Sequence, residues 1–569
     1  MKNHEIAEIF REIASILEIK GDNPFRIRAY LRAAESIDSL SEPIEVFAKD
    51  NRLKGIAGIG EDLSAKVSEY LSTGKIKSFI ELKESLPEGV LELLNIPSVG
   101  PKTAKLLFEK LKISNIRQLE KVLKSGKLSG IPGIKEKTIA NILKGIAFVK
   151  KDTKLMHLSK AMQIADEFLN PLENLPEVEK ITVAGSLRRK KETVRDIDIL
   201  ITSRSPGKVM NIFTGLAPVK EILAKGETKS SIRTSGGVQV DCRVVEEKSF
   251  GAALLYFTGS KNFNIKIRQM AVRKGLKINE YGVFRKEKFI CGRTEEEVLK
   301  VLGMAYVEPE LREDTGEIQL ALKNKLPHLL ELKDIKGDLH VHSLWSDGHS
   351  SIKDMAQAAR KRGYSYICVT DHSKSLKIAN GLSIQDLRKK KTEIEKLNKG
   401  MKDFSILYGT EVDIDSNGNL DYPDNILKEF DVVIAAVHSG FKQSRIQLTK
   451  RVVKACKNKY VHIIAHPTGR LWGTRDAYEI DLEEVLKVAK STNTRLEINS
   501  FPNRLDLNDH NVRIAKQMGV GIAINTDSHS VEQLGTMHFG VSVARRAWLE
   551  AKDVVNTLRV QELMRVIKK

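Results

Sequence analysis

The sequence predicts a multidomain protein: an α-helical N-terminal part, an α+β middle and a C-terminal α/β barrel. Three observations lead there. At 569 residues the chain is too long for a single core, because domains typically hold about 100–200 residues. Its first 150 residues are helical patterns broken by short glycine turns. Its last third alternates short apolar strands with helical stretches, the mark of parallel βα units.

Composition narrows the function classes. A hydrophobic fraction of 41% and a charged fraction of 30% describe a soluble globular chain. No apolar run approaches the about 20 residues that span a bilayer, so no membrane association is expected. The opening MKNHEIAEIFREI is amphipathic and carries acids, which argues against a signal peptide. Cys242, Cys291, Cys368 and Cys456 lie far apart and form no CxxC pair. Free thiols in a reducing cytoplasm fit that pattern better than a disulfide framework or a zinc ribbon. The net charge of +20 favours a polyanionic partner, because phosphate contacts release counterions. Ten of the thirteen histidines follow residue 330, which suggests a separate domain with its own chemistry.

In the helical part, three stretches resemble one another: GIAGIG (55–60), NIPSVG (95–100) and GIPGIK (130–135). Each precedes a helical pattern, EDLSAKVSEYL, PKTAKLLFEKL and EKTIANILKGI. A glycine turn lets backbone approach a ligand with no Cβ in the way. The N–H groups of the next helix then suit a phosphate. Gly58, Gly60, Gly100 and Gly133 are the candidate contacts, with Lys102 and Lys105 beside the second turn. The three resemble helix-hairpin-helix motifs, which hold the DNA backbone without reading sequence. Upstream, GDNPFRIRAYLRAAESI places Arg26, Arg28 and Arg32 on a helix, as a DNA-facing surface or a solvated face.

In the middle, KITVAGSLRRKKETVRDIDILIT (180–202) reads as strand, turn and strand. Asp196 and Asp198 are two apart, so a strand projects both to one face. VQVDCRV supplies a third strand carboxylate, Asp241. Adjacent carboxylates repel unless cations intervene, and Mg²⁺ suits such oxygen ligands. Three on neighbouring strands can seat two metals for phosphoryl-type transfer. Gly185 and Ser186 offer N–H groups and a hydroxyl for phosphate, and Arg189 adds charge. A DxD pair alone is weak, since exposed edge strands often alternate acids.

GSLRRKKETVRDIDIL, Asp241 and YFTGSKNFNIKIR (256–268) resemble the family X DNA polymerases, the polymerase beta-like group. The resemblance covers residue 1 to about 315 and includes the hairpins and a helical lyase-like domain. It implies that Asp196, Asp198 and Asp241 bind two Mg²⁺ or Mn²⁺ ions for nucleotidyl transfer, and that Ser186 and Arg189 bind the dNTP triphosphate. It makes Tyr256, Phe257 and Gly259 the sugar side of the nucleotide pocket. Asn264 contacts the base, Arg268 the template strand, and Arg243 pairs with a metal-binding aspartate in the open enzyme. Lys66 falls at the position of the lyase nucleophile, but Asp62 and Ser78 stand where basic residues are usual. The alternative for Lys66 is a lysine facing solvent.

In the last third, each strand delivers a polar residue at its carboxyl end. GDLHVHS delivers His340 and His342, followed by Asp347. RKRGYSYICVTDHS delivers His372, and FSILYGTEVDI Glu411. FDVVIAAVHSG delivers His438, KYVHIIAHPTG His466, and GVGIAINTDSHS Asp527 and His529. In βα barrels that rim carries the chemistry. One histidine is more often structural than ligating; six histidines and three acids, all at strand ends, reverse those odds.

These nine residues resemble the metal signature of the PHP (polymerase and histidinol phosphatase) domain, a distorted TIM-like barrel. LEINSFPNRLDL (496–507) belongs to the same resemblance. It implies up to three Zn²⁺ or Mn²⁺ ions, with Glu411 bridging two. His340, His342 and Asp527 complete one site; Asp347, His372 and His529 form another; His438 and His466 serve the third. Imidazole with carboxylate fits these ions better than Mg²⁺. Arg504 is a candidate phosphate clamp or a helix-capping ion pair. His349 is expected on the surface and His462 in the core.

The expected divisions are 1–85 helical lyase-like with the first hairpin, 86–150 fingers-type with further hairpins, 151–245 palm, and 246–315 thumb. A linker at 316–336 precedes PHP at 337–569. The stretch YVEPELREDTGEIQLALKNKLPHLL (306–330) reads as the end of the polymerase part plus a connecting helix. Its ELRE-D-GEI wording also occurs in bacterial and archaeal family X polymerases with a PHP domain. The resemblance implies a monomeric DNA repair enzyme. It would fill gapped or primer–template DNA and process DNA ends as a 3′–5′ exonuclease, 3′-phosphatase or AP endonuclease. The alternatives are a PHP half acting on a small phosphate ester of the histidinol-phosphate type, and a DNA-binding protein with an inactive catalytic domain.

Overall fold

The structure is a computed structural model. It describes the chain except residues 1, 39–43, 57, 88, 97, 98, 125–127, 129–137, 140, 144, 145, 147–154 and 569. Helices Lys2–Lys20, Pro24–Asp38 and Glu61–Thr73 close over one small core that includes Phe10, Leu17, Tyr30 and Val67. A second core gathers Val90, Leu107, Leu119 and Ile142. Amphipathic spacing explains both: each helix turns one apolar stripe inward.

The middle contains a five-stranded sheet: β1 (Val178–Val183), β2 (Asp196–Ser203), β3 (Val219–Lys225), β4 (Lys229–Thr234) and β5 (Gln239–Val245). The spatial order is β1-β2-β5-β4-β3. Only the central β2–β5 pair is parallel. Helices Leu158–Glu173 and Pro206–Thr214 cover one face through Ile164, Phe168, Val209 and Phe213. Helix Phe250–Thr258 packs Ala253 and Leu254 against Ala184 and Leu200. A small antiparallel sheet follows: β6 (Lys277–Asn279), β7 (Gly282–Arg285) and β8 (Lys288–Cys291). Arg188 and Arg312 both clamp Glu295, at 2.7 and 2.6 Å, joining this region to the sheet.

The last third forms seven parallel strands in sequence order: β9 (Gly337–Val341), β10 (Tyr366–Val369), β11 (Ser405–Asp413), β12 (Val432–Ala436), β13 (Ile463–Ile464), β14 (Arg495–Asn499) and β15 (Ile522–Asn525). The barrel nearly closes. Val341 bridges Ser528, and the Leu339 N–H donates to Asn525 Oδ1 at 3.1 Å. An ordinary TIM barrel has eight strands; here one backbone bridge and the Asn525 side chain seal the seam.

The connection between middle and barrel is packed. Val307, Leu311, Ile318 and Leu329 share a buried cluster with the barrel residue Trp548. The Leu330 N–H donates to the Leu549 carbonyl at 2.9 Å. All four cysteines are free thiols, and no helix among the described residues is long and apolar enough to cross a membrane.

Candidate metal centres in the sheet and the barrel

The sheet site begins with strand register. Parallel pairing sets Asp198 on β2 directly across from Asp241 on β5, with Asp196 two residues back. Alternation sends Ile197, Ile199 and Ile201 into the core and turns both β2 aspartates to the opposite face. Burial, then the charges of Asp196 and Asp241, raise the Asp198 carboxyl to about 7. Three carboxylates under that mutual repulsion fit divalent cations, whose charge relieves it. Gln239 Nε2 donates to both Asp241 oxygens, at 3.1 and 3.3 Å. Among the described residues, the three aspartates do not converge as tightly as the barrel residues below.

Gly185 turns the chain at φ +61°, and a Cβ there would lie 2.4 Å from Asp198 Oδ2. Only glycine lets the turn approach the carboxylate. Ser186 follows in the helical turn Gly185–Arg188. The Arg189 Nε donates to Glu313 Oε1 at 3.1 Å, and its Nη1 donates to the Thr258 carbonyl. Gly259 follows Thr258 at φ +72°. Tyr256 and Phe257 meet edge to face at 5.1 Å. The Asn264 amide donates to the Tyr256 carbonyl at 2.7 Å, and Arg268 lies over the Tyr256 ring. Arg243 departs from expectation: it makes no aspartate ion pair among the described residues but stacks on Phe257, 4.3 Å from the ring centre. That aromatic face offers a desolvated guanidinium a favourable seat without a salt bridge.

The barrel site gathers the other eight sequence-predicted residues around Glu411. Its Oε1 lies 3.0 Å from His466 Nε2 and 3.2 Å from His438 Nε2. Its Oε2 lies 2.9 Å from His372 Nδ1, 3.4 Å from His340 Nε2 and 3.5 Å from His342 Nε2. Asp527 Oδ1 sits 3.2 Å from His342 Nε2, and Asp347 lies 3.5 Å from His372 and 3.4 Å from His529. Three overlapping groups result: His342, Asp347, His372 and His529; His340, His342 and Asp527; His372, Glu411 and His438. His342 and His372 each belong to two of them, a sharing that the sequence did not indicate.

Electrostatics polarises the cluster. Burial lowers His342 to about 4, with help from His529 and His372. Burial opposes charge on His372 too, but Glu411 and Asp347 outweigh it and lift that ring to about 10. His340 Nε2, both ring nitrogens of His342, and Glu411 Oε2 are buried without hydrogen-bond partners. Buried polar atoms are almost always satisfied, so donors orphaned in this number fit metal ions.

Each half matches known families. Residues 1–76 match a helix-hairpin-helix domain, 90–147 a SAM-like helix-hairpin-helix tandem, 253–313 the DNA polymerase beta thumb, and 338–501 the PHP domain. Over the full length of both proteins, the chain is 38% identical to the DNA polymerase/3′-5′ exonuclease PolX of Bacillus subtilis. The chain belongs to the family X DNA polymerases that carry a PHP domain. Two partial relatives show the same division. A probable phosphatase of Thermoanaerobacter is 35% identical, covering 39% of this polymerase and 89% of the phosphatase. DNA polymerase lambda of Rattus norvegicus is 27% identical, covering 55% of this chain and 56% of its own.

In the helical region of the polymerase, Gly58 and Gly60 precede helix Glu61–Thr73, and Gly100 precedes helix Pro101–Leu111. Neither helix has a side-chain cap, which leaves first-turn N–H groups for a ligand, except at Pro101, which has none. Lys102 is exposed, and Lys105 lies 3.9 Å from Glu109. Gly133 and most of the third hairpin lie outside the described residues. Arg26, Arg28 and Arg32 are exposed, and the Arg32 side chain lies beside Gly58. Lys66 does not face solvent: its side chain is 12% exposed and forms an ion pair with Asp62. Asp62 occupies its ammonium.

The structure adds residues that the sequence did not single out. Glu497, fully buried, holds His340 Nδ1 at 2.8 Å and accepts the His466 N–H at 2.7 Å. Asp413 holds His438 Nδ1 at 3.1 Å. Beneath them Asp371 pairs with buried Lys390 at 2.8 Å. Glu497 left one trace in the sequence, a lone acid inside the apolar strand RLEIN. Arg504 caps no helix: its Nε lies 3.4 Å from Asp527 Oδ2. His462 is buried, with Nδ1 accepting the Val433 N–H at 3.0 Å, and His349 is exposed.

Proposed function

We propose that this chain extends DNA primers at its sheet site and processes DNA 3′ ends in its barrel, working as a cytoplasmic monomer on gapped or primer–template DNA. The convergence of five histidines on Glu411, with Asp347, Asp527 and His529 beside them, in a chain that also carries the β2–β5 aspartates, supports two working sites over one decayed half.

Asp196, Asp198 and Asp241 would hold two Mg²⁺ or Mn²⁺ ions. His340, His342 and Asp527, then Asp347, His372 and His529, then His438 and His466 with Glu411, would hold up to three Zn²⁺ or Mn²⁺ ions. When bound, the ions supply Lewis-acid charge and activate an attacking oxygen at neutral pH. The protein's own groups do the rest. Gly185 and Ser186 receive the dNTP triphosphate, and the free edge of Arg189 binds its charge. Tyr256, Phe257 and Gly259 wall the sugar, Asn264 meets the base and Arg268 the template strand. The hairpin helices grip the DNA backbone. In the barrel, Glu497 keeps a proton on His340 Nδ1, leaving Nε2 as the ligating lone pair. Asp413 does the same for His438. Arg504 stands where a substrate phosphate would meet it. Lys66 is left out of the catalytic set, because Asp62 occupies its ammonium.

Paired variants test the assignment. Asp196→Ala with Asp198→Ala should lower primer extension at least about a thousandfold and leave 3′–5′ degradation intact. His340→Ala with His342→Ala should do the reverse. Extension that survives the first pair contradicts the sheet assignment. The phosphatase relative favours a second reading, in which the barrel hydrolyses a small phosphate ester. Activity on histidinol phosphate with none on a 3′-recessed primer would select it.

A further inference from the structure

We propose that Arg546, a barrel residue, positions Arg189 of the polymerase site through Glu313, so that the PHP domain helps set the polymerase's affinity for nucleotide. This rests on the triphosphate role given to Arg189 above. Arg546 ends helix Met537–Arg546. Its Nη1 donates to the Arg189 main-chain carbonyl at 2.8 Å and lies 3.2 Å from Glu313 Oε1. That same Glu313 oxygen accepts the Arg189 Nε–H at 3.1 Å. Arg546 is itself fixed: its Nε donates to Asp509 Oδ2 at 2.7 Å, on another barrel helix. The Arg546, Arg189 and Glu313 side chains are only 7%, 12% and 22% exposed, so solvent screens the contacts little.

A guanidinium presents five N–H groups in a rigid fork. Glu313 takes the Nε edge and the Thr258 carbonyl takes Nη1. Nη2 is left without a protein partner among the described residues, free for a phosphate oxygen. A fork held in this way loses less conformational freedom when triphosphate binds. Without Arg546, Glu313 and the Arg189 backbone each lose a charged partner, and the fork is left to the Thr258 carbonyl and a Glu313 that is itself less firmly fixed. The docking of the barrel does not depend on Arg546 alone. Arg545 pairs with Glu310 at 2.7 Å and Arg470 with Glu192 at 2.6 Å.

Single-nucleotide insertion on saturating gapped DNA, with the full chain, tests the proposal. Arg546→Ala should raise the KM for dNTP by about tenfold, the size of one charge-assisted hydrogen bond, with kcat within about twofold. Arg546→Lys should recover part of that loss, and Glu313→Gln should raise KM in the same way. Degradation of a 3′-recessed primer should stay within about twofold for all three. Arg189→Ala is the reference. If it raises KM while Arg546→Ala and Glu313→Gln do not, the link through Glu313 is wrong and the nucleotide role of Arg189 stands. If Arg189→Ala leaves KM unchanged, that role fails and the inference with it. Equal losses of extension and degradation in Arg546→Ala, unrelieved by lysine, show a merely structural residue and also overturn the proposal.

Discussion

At the residue scale, two acids decide how the sites work. Glu497 touches two ligands at once, the His340 ring and the His466 backbone. Glu497→Gln should therefore weaken barrel metal binding by about 10–100-fold, measured as retained zinc or manganese against a competing chelator. Asp198 sets the pH response of the other site. Its carboxyl is raised to about 7 by burial, Asp196 and Asp241. Below that pH the ion-free site keeps a proton that a cation must displace; above it the carboxylate is ready. The Mg²⁺ concentration for half-maximal extension should fall between about pH 6 and about pH 8. A midpoint that ignores pH over that window contradicts the assignment. The candidate ligands were legible in the sequence because each stands in a short strand or the loop just after one, with a chemistry-bearing side chain. Glu497 and Asp413 were not, because a carboxylate that orients a ligand looks like any strand or turn acid until the fold brings the two together. Arg243 and Lys66 show the other limit: family position told what they would reach for, while Phe257 and Asp62 decided what they touch.

At the element scale, strand pairing and buried ion pairs position the chemistry. The β2–β5 register alone sets Asp198 against Asp241. The helix Glu295–Val301 contributes the carboxylate that Arg188 and Arg312 share. Burial would raise that carboxyl, but the two guanidiniums overcome it and hold Glu295 down to about 2. Glu295→Gln leaves two buried cations short of a partner, a cost of about 3–5 kcal/mol, visible as a lower unfolding midpoint in denaturant. An unchanged midpoint means that the pair is not what joins these elements. The alternating βα rhythm made the barrel legible in the sequence. The strand count did not follow from it, since β13 holds two residues and the seam closes through Asn525. The connecting segment read as a linker because it is charged and carries Pro309 and Pro327. Its apolar positions instead pack on the barrel residue Trp548, a contact between distant parts of the chain that local pattern cannot carry.

At the scale of the whole molecule, two chemistries share one docked frame. Barrel arginines meet acids of the polymerase half: Arg470 meets Glu192, Arg545 meets Glu310, and Arg546 meets Glu313. Each group looks like ordinary surface charge in the sequence, and only docking reveals the complementarity. The sites themselves use separate ligands on separate sheets, so each should keep its chemistry when the other's ligands are removed. The most direct test is one gapped DNA whose primer ends in a 3′-phosphate, supplied with dNTPs, with the products resolved by length. The intact protein should remove the block and extend. His342→Ala should stall on the blocked primer yet extend an unblocked one; Asp198→Ala should remove the block and add nothing. Loss of extension on unblocked DNA by His342→Ala, or loss of unblocking by Asp198→Ala, contradicts two independent centres.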